Sequence, residues 1–338
     1  MEKHVEFVYL SRKEVERTGI DMKTAIKVIE DVFRAHYDRK VVLPTKTQLR
    51  IKEYPNSYFV AMPAYLEYLG VCGLKWISGY THNPKKYNLP ASIGTIILND
   101  AETGVPVAVM DGTMITALRT GAVTAVGSKY LAKDDSEIIG IIGASVQGRY
   151  QLTALNEVFK IKEVKVHDKN KDVAERYAEE MTDKLNLNIK PVNSYKELVK
   201  GTDIIVVAAR TTKPFFHGKL ISSASGVFVS AVAGGLFPDI LKKIDKLVGD
   251  EWKQWKDLDW GLQINWLSDF YKKGLIDDKT IYAELGEIVA GKKPGRETRS
   301  EVILFAHIGM ATEDLALAYK TYLLARDRGL GEKLMLLD

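Results

Sequence analysis

A short glycine-containing segment, residues 143–148, has the spacing of a tight turn between a strand and a helix. It follows the apolar run Ile138–Ile142 and reads Gly-Ala-Ser-Val-Gln-Gly. Gly143 permits the turn, Gly148 permits close helix–strand packing, and amides at a helix start can bind a pyrophosphate. Ser145 replaces the middle glycine of the dinucleotide fingerprint, so its β-carbon crowds that approach although its hydroxyl can donate to a phosphate. We assign these turn positions to a cofactor site: Gly143, Ser145, Val146 and Gln147.

An acidic residue follows the next predicted strand. Asp168 lies 25 residues after Gly143, where a carboxylate can accept hydrogen bonds from an adenosine ribose and repel a 2′-phosphate. Lys169 and Lys171 weaken that preference, because cations attract the same phosphate. The alternative is that Asp168 caps a helix or closes a turn. Together the turn and the acid predict NAD as cofactor, with NADP possible.

Strand and helix patterns alternate around this turn. Continuous apolar runs are typical of strands that are buried on both faces, and helical periodicity separates them. This alternation predicts an α/β unit with a Rossmann-like, doubly wound parallel sheet. The predicted strands span residues 138–142, 164–167, 189–192, 204–209 and 227–232.

The flanking segments have a different pattern. Apolar residues at spacings of three and four predict a helix over 21–38 with Asp21 as its N-cap, and another helix over 309–328. Residues 41–108 contain short apolar segments broken by prolines, Pro63 among them, which indicates β structure with long loops. We therefore predict a β-rich α+β domain, residues 1–115 with 306–338, into which an α/β domain, residues 116–305, is inserted.

Composition excludes several classes of protein. The 338 residues are 46% hydrophobic with a formal charge of +4, and basic and acidic residues are mixed, so we expect no nucleic-acid partner. Cys72 is the only cysteine, which excludes an internal disulfide and a cysteine-rich zinc site; we assign no metal. No run approaches 18 uncharged apolar residues, and the N-terminus lacks signal-peptide order. We expect no membrane partner and a cytoplasmic location.

Several stretches resemble the ornithine cyclodeaminase/mu-crystallin family and follow the family's order along nearly the whole chain. The most specific is Met110–Ala122, and the others are Ala61–Tyr65, Gly73–Trp76, Asp100–Pro106, Gly143–Gln147, Ala283–Glu287 and Gly309–Asp314. The resemblance implies a nucleotide-binding domain inserted into a β-rich substrate domain that forms homodimers. It also implies an NAD(P)-dependent oxidoreductase that transfers hydride at the Cα–N bond of a small amino or imino acid, of alanine dehydrogenase or ketimine reductase type.

The same resemblance assigns three basic residues to the substrate. Arg119 matches the family arginine that holds the substrate carboxylate, and a guanidinium suits that task because it forks onto carboxylates. Lys75 matches a substrate-site lysine that binds the carboxylate or acts as an acid or base. Lys46 falls where the family places another basic contact. The alternatives are an ion pair on a helix surface for Arg119, a snorkelling strand lysine for Lys75 and a solvated loop lysine for Lys46.

Further assignments complete the predicted site. His307 stands where relatives often have Asp-Ser, and it is either a catalytic acid/base or a structural histidine. The segment Trp252–Trp266, which includes Trp255 and Trp260, covers the substrate site, fills an interface or forms the ordinary core of an amphipathic helix. We also assign four more residues to the cofactor: Thr120, Lys169, Ala209 and Arg210.

One departure from the family pattern bears on the reaction. Cyclodeaminases and the alanine dehydrogenase carry an aspartate after the strand that ends near Val232, and here Gly235 takes its place. This loss counts against cyclisation of ornithine, unless Asp239 is repositioned by a loop of different length. The alternatives to the oxidoreductase are therefore an ornithine cyclodeaminase, which forms proline and ammonia, and a non-catalytic NAD(P)H-binding protein of mu-crystallin type.

Overall fold

The computed structural model describes residues 4–54, 57–211, 213–257 and 266–337. The chain forms two compact units, Met1–Arg119 with Met310–Asp338 and Thr120–Gly309. Each boundary lies four residues after the one expected from the sequence. The order of the units along the chain is that of an insertion.

The first unit is built on a largely antiparallel sheet. Its strands are β1 (Val5–Leu10), β2 (Val41–Val42), β3 (Thr47–Arg50), β4 (Ser57–Leu66), β5 (Val71–Tyr80), β6 (Ser92–Asp100), β7 (Pro106–Asp111) and β16 (Glu332–Leu337). Its helices are α1 (Arg12–Arg17), α2 (Met22–Tyr37), α3 (Asn83–Lys86), α11 (Ala311–Asp327) and the start of α4 (Gly112–Leu131).

The strand order in this sheet is β16-β1-β7-β6-β5-β4-β2, and β3 also pairs with β4. Helix α11 packs on β4, β5 and β6, and α2 packs on α11. The expected break at Pro63 is wrong, because β4 continues through it. Pro63 lies between the stretches of β4 that pair with β3 and with β2, where a missing amide costs no ladder hydrogen bond on that side.

Helix α2 shows why the predicted 21–38 segment folds locally. The Asp21 side chain accepts a hydrogen bond from Thr24 N at 2.8 Å and so caps the helix as expected. Its apolar stripe is fully buried, and each large side chain in it contributes roughly 1.5–3 kcal/mol on burial. That stripe includes Ile29, Val32 and Phe33, each 0% exposed.

The second unit is a parallel sheet with alternating helices. Its strands are β8 (Ile138–Ile142), β9 (Glu163–His167), β10 (Ile189–Pro191), β11 (Ile204–Val207), β12 (Phe228–Ala231), β13 (Lys246–Gly249), β14 (Ala283–Glu284) and β15 (Ile303–Ala306). Its helices are α5 (Val146–Asn156), α6 (Lys171–Leu185), α7 (Tyr195–Val199), α8 (Trp252–Asp257), α9 (Trp266–Lys272) and α10 (Leu285–Val289), with the remainder of α4.

The strand order in the second unit is β10-β9-β8-β11-β12-β15-β13-β14, with parallel pairing throughout the described strands. The chain runs outward from β8 to β10, then returns to β11 on the other side of β8. Ligands of such sheets bind beyond the carboxyl ends of the strands where the direction reverses. This order confirms the predicted Rossmann-like sheet and places the glycine turn at that reversal.

The tryptophan segment belongs to the core of the second unit. Trp252, Trp255 and Trp266 are 8%, 1% and 1% exposed, which supports the core interpretation. Trp260 lies outside the described residues. Within the described part of the chain, no helix combines the length and apolar character needed to cross a membrane.

Candidate functional site

The glycine turn after β8 requires glycine at two positions. Gly143 has a φ of +104°, and a β-carbon there would lie 2.6 Å from the Ala209 amide nitrogen. A β-carbon on Gly148 would overlap the carbonyl oxygen of Gly143. Both steric demands agree with the roles expected from the sequence.

The start of α5 presents exposed side chains beside this turn. Ser145 is the N-cap residue of α5, but its side chain makes no capping hydrogen bond. Ser145 is exposed, and Val146 is 60% exposed although it is apolar. Gln147 is half-buried. The first turn of α5 therefore offers an amide end and an accessible hydroxyl, as a pyrophosphate site requires.

Asp168 connects the end of β9 to the glycine turn. Its Oδ2 accepts a hydrogen bond from Ala144 N at 3.0 Å, and its Oδ1 accepts one from Asn170 N, also at 3.0 Å. The helix-cap alternative is wrong, because the Asn170 side chain caps α6 by accepting from Asp172 N. The carboxylate thus closes a local turn and also holds the backbone of residue 144.

A pocket of about 470 Å³ lies beside Asp168 at the carboxyl ends of β9 and β10. Its lining combines two carboxylates with two exposed lysines, which suits ribose hydroxyls and also a 2′-phosphate. The pocket, the required glycines and the open start of α5 together fit a dinucleotide. The lining residues are His167, Asp168, Lys169, Lys171, Ala174, Glu175, Pro191, Val192 and Asn193.

Three other predicted cofactor residues occupy neighbouring backbone positions. Ala209 lies just after β11, beside Gly143. Arg210 follows it and is exposed. Thr120 is buried, and its carbonyl oxygen accepts a hydrogen bond from Gln151 Nε2 of α5 at 3.1 Å. This bond ties the carbonyl of residue 120 to the helix that begins at the glycine turn.

The sequence did not indicate the side chains that link the glycine turn and α5 to α6. Arg149 donates to the Ala144 carbonyl oxygen at 2.7 Å and pairs with Glu180 at 2.6 Å. The Tyr177 hydroxyl donates to the Gly148 carbonyl oxygen at 2.9 Å. These partners are 29 to 31 residues apart where they join two helices, so no local pattern indicates them.

In the first unit, two basic residues meet at one carboxylate. Lys75 Nζ donates to Asp314 Oδ2 at 2.6 Å, and Arg119 Nε donates to Asp314 Oδ1 at 2.9 Å. Arg119 Nη1 also donates to Glu313 Oε2 at 2.8 Å. Lys75 is 1% exposed and Arg119 is 5% exposed, while both acids are fully buried. The snorkelling alternative for Lys75 and the surface-pair alternative for Arg119 are therefore wrong.

The alternation of side chains along β5 explains why Lys75 faces α11. Gly73 and Lys75 lie on the same face of the strand, and a β-carbon on Gly73 would lie 3.3 Å from Leu315 Cδ2 of α11. That face therefore points at α11. Trp76 points the opposite way, is 39% exposed and stacks on Phe59 at a centroid distance of 5.3 Å.

The four charged groups have opposing effects on Lys75. Their net effect is to lower the pKa of the Lys75 ammonium to about 8: burial lowers it most, Arg119 also lowers it, and Asp314 and Glu313 raise it. Two cations and two carboxylates share a region that excludes water, so their formal charges balance. A buried pair of this kind is stable only when its partners remain in place.

Lys46 is also buried, at 5% exposure, in the connection between β2 and β3. The solvated-loop interpretation of this residue is therefore wrong. Burial of a lysine without compensation is costly, so its position agrees with a binding or structural role in this unit.

Sequence reasoning also missed Glu313 and Asp314 as members of this cluster. The available signal was their setting, because they stand in the otherwise apolar start of α11. Residues 311–318 are all buried, and carboxylates are rarely buried without a cationic partner.

His307 lies in the second unit among hydroxyl groups. Its Nε2 is 3.1 Å from Thr124 Oγ1 and 3.3 Å from Ser230 Oγ, and the residue is 2% exposed. The next two amides, of Ile308 and Gly309, donate to Asp250 Oδ2 at 2.7 and 2.8 Å. This setting supports the structural alternative over the catalytic one.

The position where the family pattern has an aspartate has no room for a side chain. Gly235 has a φ of +107°, and a β-carbon there would overlap the Phe215 ring. Asp239 is bound elsewhere, because its carboxylate accepts from Gly218 N at 3.0 Å and from Lys219 N at 3.2 Å. Nothing in this loop moves Asp239 into the place of the missing acid.

Comparison with known proteins agrees with this geometry. Alanine dehydrogenase of Archaeoglobus fulgidus is 34% identical over 337 residues, 98% of this chain and 98% of that protein. The structure of Thermococcus litoralis Δ(1)-pyrroline-2-carboxylate reductase, in complex with NADH and L-proline, matches with 38% identity and a TM-score of 0.89 over 96% of this chain and 99% of that one. An archaeal alanine dehydrogenase dimer with bound NAD matches with 33% identity and a TM-score of 0.88 over 98% of this chain and 100% of that one.

The model of the ornithine cyclodeaminase/mu-crystallin family matches residues 5–328. That range begins at the first residue of β1 and ends just after α11, so it includes both units. The chain belongs to the ornithine cyclodeaminase/mu-crystallin family.

Proposed function

We propose that this protein is an NAD(H)-dependent oxidoreductase that acts at the Cα–N bond of a small amino or imino acid. The observation that carries the proposal is the buried meeting of Lys75 and Arg119 at Asp314. Asp314 and Glu313 balance the charge of the two cations, which together carry several N–H donors; such donors suit a small carboxylate, because charge-assisted bonds are strong. The relatives named above act on alanine and on Δ(1)-pyrroline-2-carboxylate, which share an α-carboxylate beside a Cα–N bond.

Reduction of an imino acid needs a hydride at the α-carbon and a proton at the nitrogen. A bound nicotinamide supplies the hydride. Arg119 forks onto the substrate carboxylate and orients the α-carbon. We assign Lys75 as the proton donor, because a pKa near 8 lets its ammonium hold and release a proton near neutral pH. In the oxidative direction the same groups act in reverse order.

The cofactor site of the proposal comprises the glycine turn, Asp168 and the pocket beside it. We propose NAD(H) as the cofactor, with NADP(H) possible because Lys169 and Lys171 line the same pocket. Thr120, Ala209 and Arg210 remain in the proposed site as neighbours of the turn. The lysine near β3, Lys46, remains a proposed substrate contact.

We further propose a homodimer in which the exposed face of the first unit's sheet meets a second copy. Trp76 and Phe59 stack on that face, and Tyr54 and Tyr87 are about half exposed beside it. A large exposed aromatic patch is typical of an interface, and the archaeal relative is a dimer. A cytoplasmic location stays a prediction from the sequence.

The proposal is tested by titrating the protein with NADH and with NADPH while following tryptophan fluorescence. We expect saturable quenching with energy transfer to the nicotinamide. The liganded protein is then assayed with Δ(1)-pyrroline-2-carboxylate and with pyruvate plus ammonia. Consumption of NADH supports the oxidoreductase. Tight binding without turnover would instead indicate a binding protein, and ammonia released from ornithine with catalytic NAD⁺ would indicate a cyclodeaminase.

A variant separates the proposed carboxylate site from general effects. Arg119→Met should weaken transition-state binding by about 2–5 kcal/mol, because the substrate carboxylate loses its charged partner in a buried site, and this is read from kcat/KM. Arg299→Met is the matched control, since Arg299 pairs with Asp135 on the surface and such pairs contribute about 0–1 kcal/mol. Equal losses in the two variants would contradict the assigned role of Arg119.

A further inference from the structure

The carboxylate of Asp314 joins both cations of the proposed substrate site. We propose that Asp314 is a positioning residue, which holds Lys75 and Arg119 at a fixed separation and keeps Lys75 protonated until a substrate carboxylate arrives. The inference rests on the proposed function, because it deepens the description of that site. Asp314 does not touch the substrate in this proposal; it acts through Lys75.

The backbone around Asp314 is suited to that task. Asp314 lies in the first turn of α11, where the helix dipole favours a carboxylate. Its neighbour Leu315 reaches Gly73 of β5, two residues from Lys75. The side chain is 0% exposed, so a packed helix and a paired strand restrict the distance between Asp314 and Lys75.

The two acids of α11 share Arg119 as a partner and differ in their other partners. Glu313 Oε2 accepts from Arg119 Nη1 at 2.8 Å and from Met310 N at 3.0 Å, so it serves Arg119 and the start of the helix. One carboxylate oxygen of Asp314 accepts a hydrogen bond from Lys75, and the other accepts one from Arg119. Removing the charge of Asp314 should therefore affect Lys75 directly, whereas removing that of Glu313 should affect it through space.

The charged groups acting on the Lys75 ammonium come from two helices. Asp314 and Glu313 of α11 favour the charged form, and Arg119 of α4 disfavours it, as does burial. Because burial is the largest of these influences, protonation at neutral pH depends on the carboxylate in contact. Without that contact, a larger fraction of Lys75 should be neutral when a substrate carboxylate has to bind.

The effect on stability has a definite sign. The pKa of Lys75 is about 8 in the folded chain and 10.5 ordinarily. Between these values the unfolded chain binds more protons, so the contribution of Lys75 to the free energy of unfolding rises with pH from about 8 to 10.5 and is constant below. Asp314→Asn should lower the folded pKa, and the rise should then begin below pH 8.

The test compares Asp314→Asn with Glu313→Gln, using pyrrole-2-carboxylate as an unreactive probe measured by calorimetry from pH 6 to 9.5 with NADH present. Wild-type affinity should fall above about pH 8, as Lys75 loses its proton. In Asp314→Asn this alkaline edge, the pH above which affinity falls, should lie about one pH unit lower. Binding would then be about tenfold weaker than wild type at pH 9. In Glu313→Gln the edge should move less.

The position of the edge decides the outcome, because a merely structural role would weaken binding at every pH. An unchanged edge in Asp314→Asn, or equal shifts in both variants, overturns the inference. If the wild-type protein binds no probe, the proposed function fails. The start of the stability rise, measured by urea unfolding without ligand, then decides the inference separately, and an unmoved start overturns it.

A folding defect is also informative. If Asp314→Asn does not fold, the double variant Asp314→Asn/Lys75→Met is prepared, because it removes both members of the pair. Recovery of folding in the double variant supports the inference, since neighbouring partners are non-additive. Failure of both variants to fold assigns Asp314 a scaffold role independent of Lys75 and overturns it.

Discussion

At the scale of single residues, the carboxylate of Asp168 serves both the ligand pocket and the backbone. It lines the pocket and also accepts hydrogen bonds from Ala144 N and Asn170 N. A ribose hydroxyl would use the remaining lone pairs, since each carboxylate oxygen can accept more than one bond. The proposed ribose contact and the observed shape of the glycine turn therefore share one side chain.

Asp168→Ala should lower NADH affinity about 10–100-fold, because bonds to a charged acceptor contribute roughly 1.5–3 kcal/mol. It should lower NADPH affinity less, because the variant no longer repels a 2′-phosphate while Lys169 and Lys171 remain. Fluorescence titration with both nucleotides measures this. Asp172→Ala, an exposed acid four residues later, is the control and should change neither affinity.

Gly235 is a position where the backbone and its packing leave no space for a side chain. Its positive φ and the Phe215 ring leave no space for a β-carbon. The loss of the family acid is therefore built into the backbone of this loop and its packing. An aspartate at this position would require the Phe215 ring to move and residue 235 to keep a positive φ.

At the scale of secondary-structure elements, α6 supports the turn that precedes α5. Tyr177 donates to Gly148 O, and Arg149 joins Ala144 O to Glu180. Burial raises the pKa of the Tyr177 hydroxyl, which therefore stays a donor at all moderate pH values. The geometry of the glycine turn is thus tied to a helix whose contacting residues lie 29 to 31 residues further along the chain.

Tyr177→Phe should lower the free energy of unfolding by about 1–3 kcal/mol, because a buried carbonyl loses its donor. NADH affinity should fall as well, since the start of α5 loses a constraint. Urea unfolding and fluorescence titration measure the two effects. Tyr282→Phe removes a similar bond, to Pro294 O at 3.1 Å, and should leave NADH affinity unchanged. A loss of affinity in the control alone would contradict this role of α6.

The alternation of side chains along β5 puts the proposed substrate contact and the proposed dimer contact on opposite faces of the sheet. Lys75 points at α11, and Trp76 points to the exposed face of the same sheet. A shift of one residue in register would exchange the two side chains. Pairing of β5 with both β4 and β6 over nearly its full length prevents that shift.

At the scale of the whole molecule, the exposed aromatic face of the first unit's sheet is the proposed homodimer interface. Trp76→Glu should dissociate the proposed homodimer, because a charge in the centre of an apolar interface is poorly tolerated. Light scattering should then report a mass near 37.8 kDa in place of twice that value. Leu275→Glu is the control, since Leu275 is 46% exposed in the second unit and should leave the mass unchanged. A monomeric wild-type protein would contradict the proposal.

The division of the chain into two units could be predicted from the pattern of apolar and polar residues alone. Apolar runs such as Ile138–Ile142 predicted parallel strands, and β8 is such a strand. The predicted bounds of the inserted domain, residues 116–305, each lie four residues before those of the second compact unit. The helix over 21–38 was also predictable, because its cap and its stripe are local. The break expected at Pro63 was wrong, since the partners of β4 determine what proline costs there.

The sequence by itself therefore determined the fold class, the glycine turn and five strands of the parallel sheet, because periodicity, capping and turn chemistry act over a few residues. Resemblance of its motifs to a family also singled out Lys75 and Arg119 as candidates. Only the tertiary structure decided what surrounds them. Asp314 lies 239 residues from Lys75, and the burial that lowers the lysine's pKa arises when β5, α4 and α11 pack together. Contacts across such separations leave no periodic trace in a sequence, and desolvation has no value until the fold has excluded water.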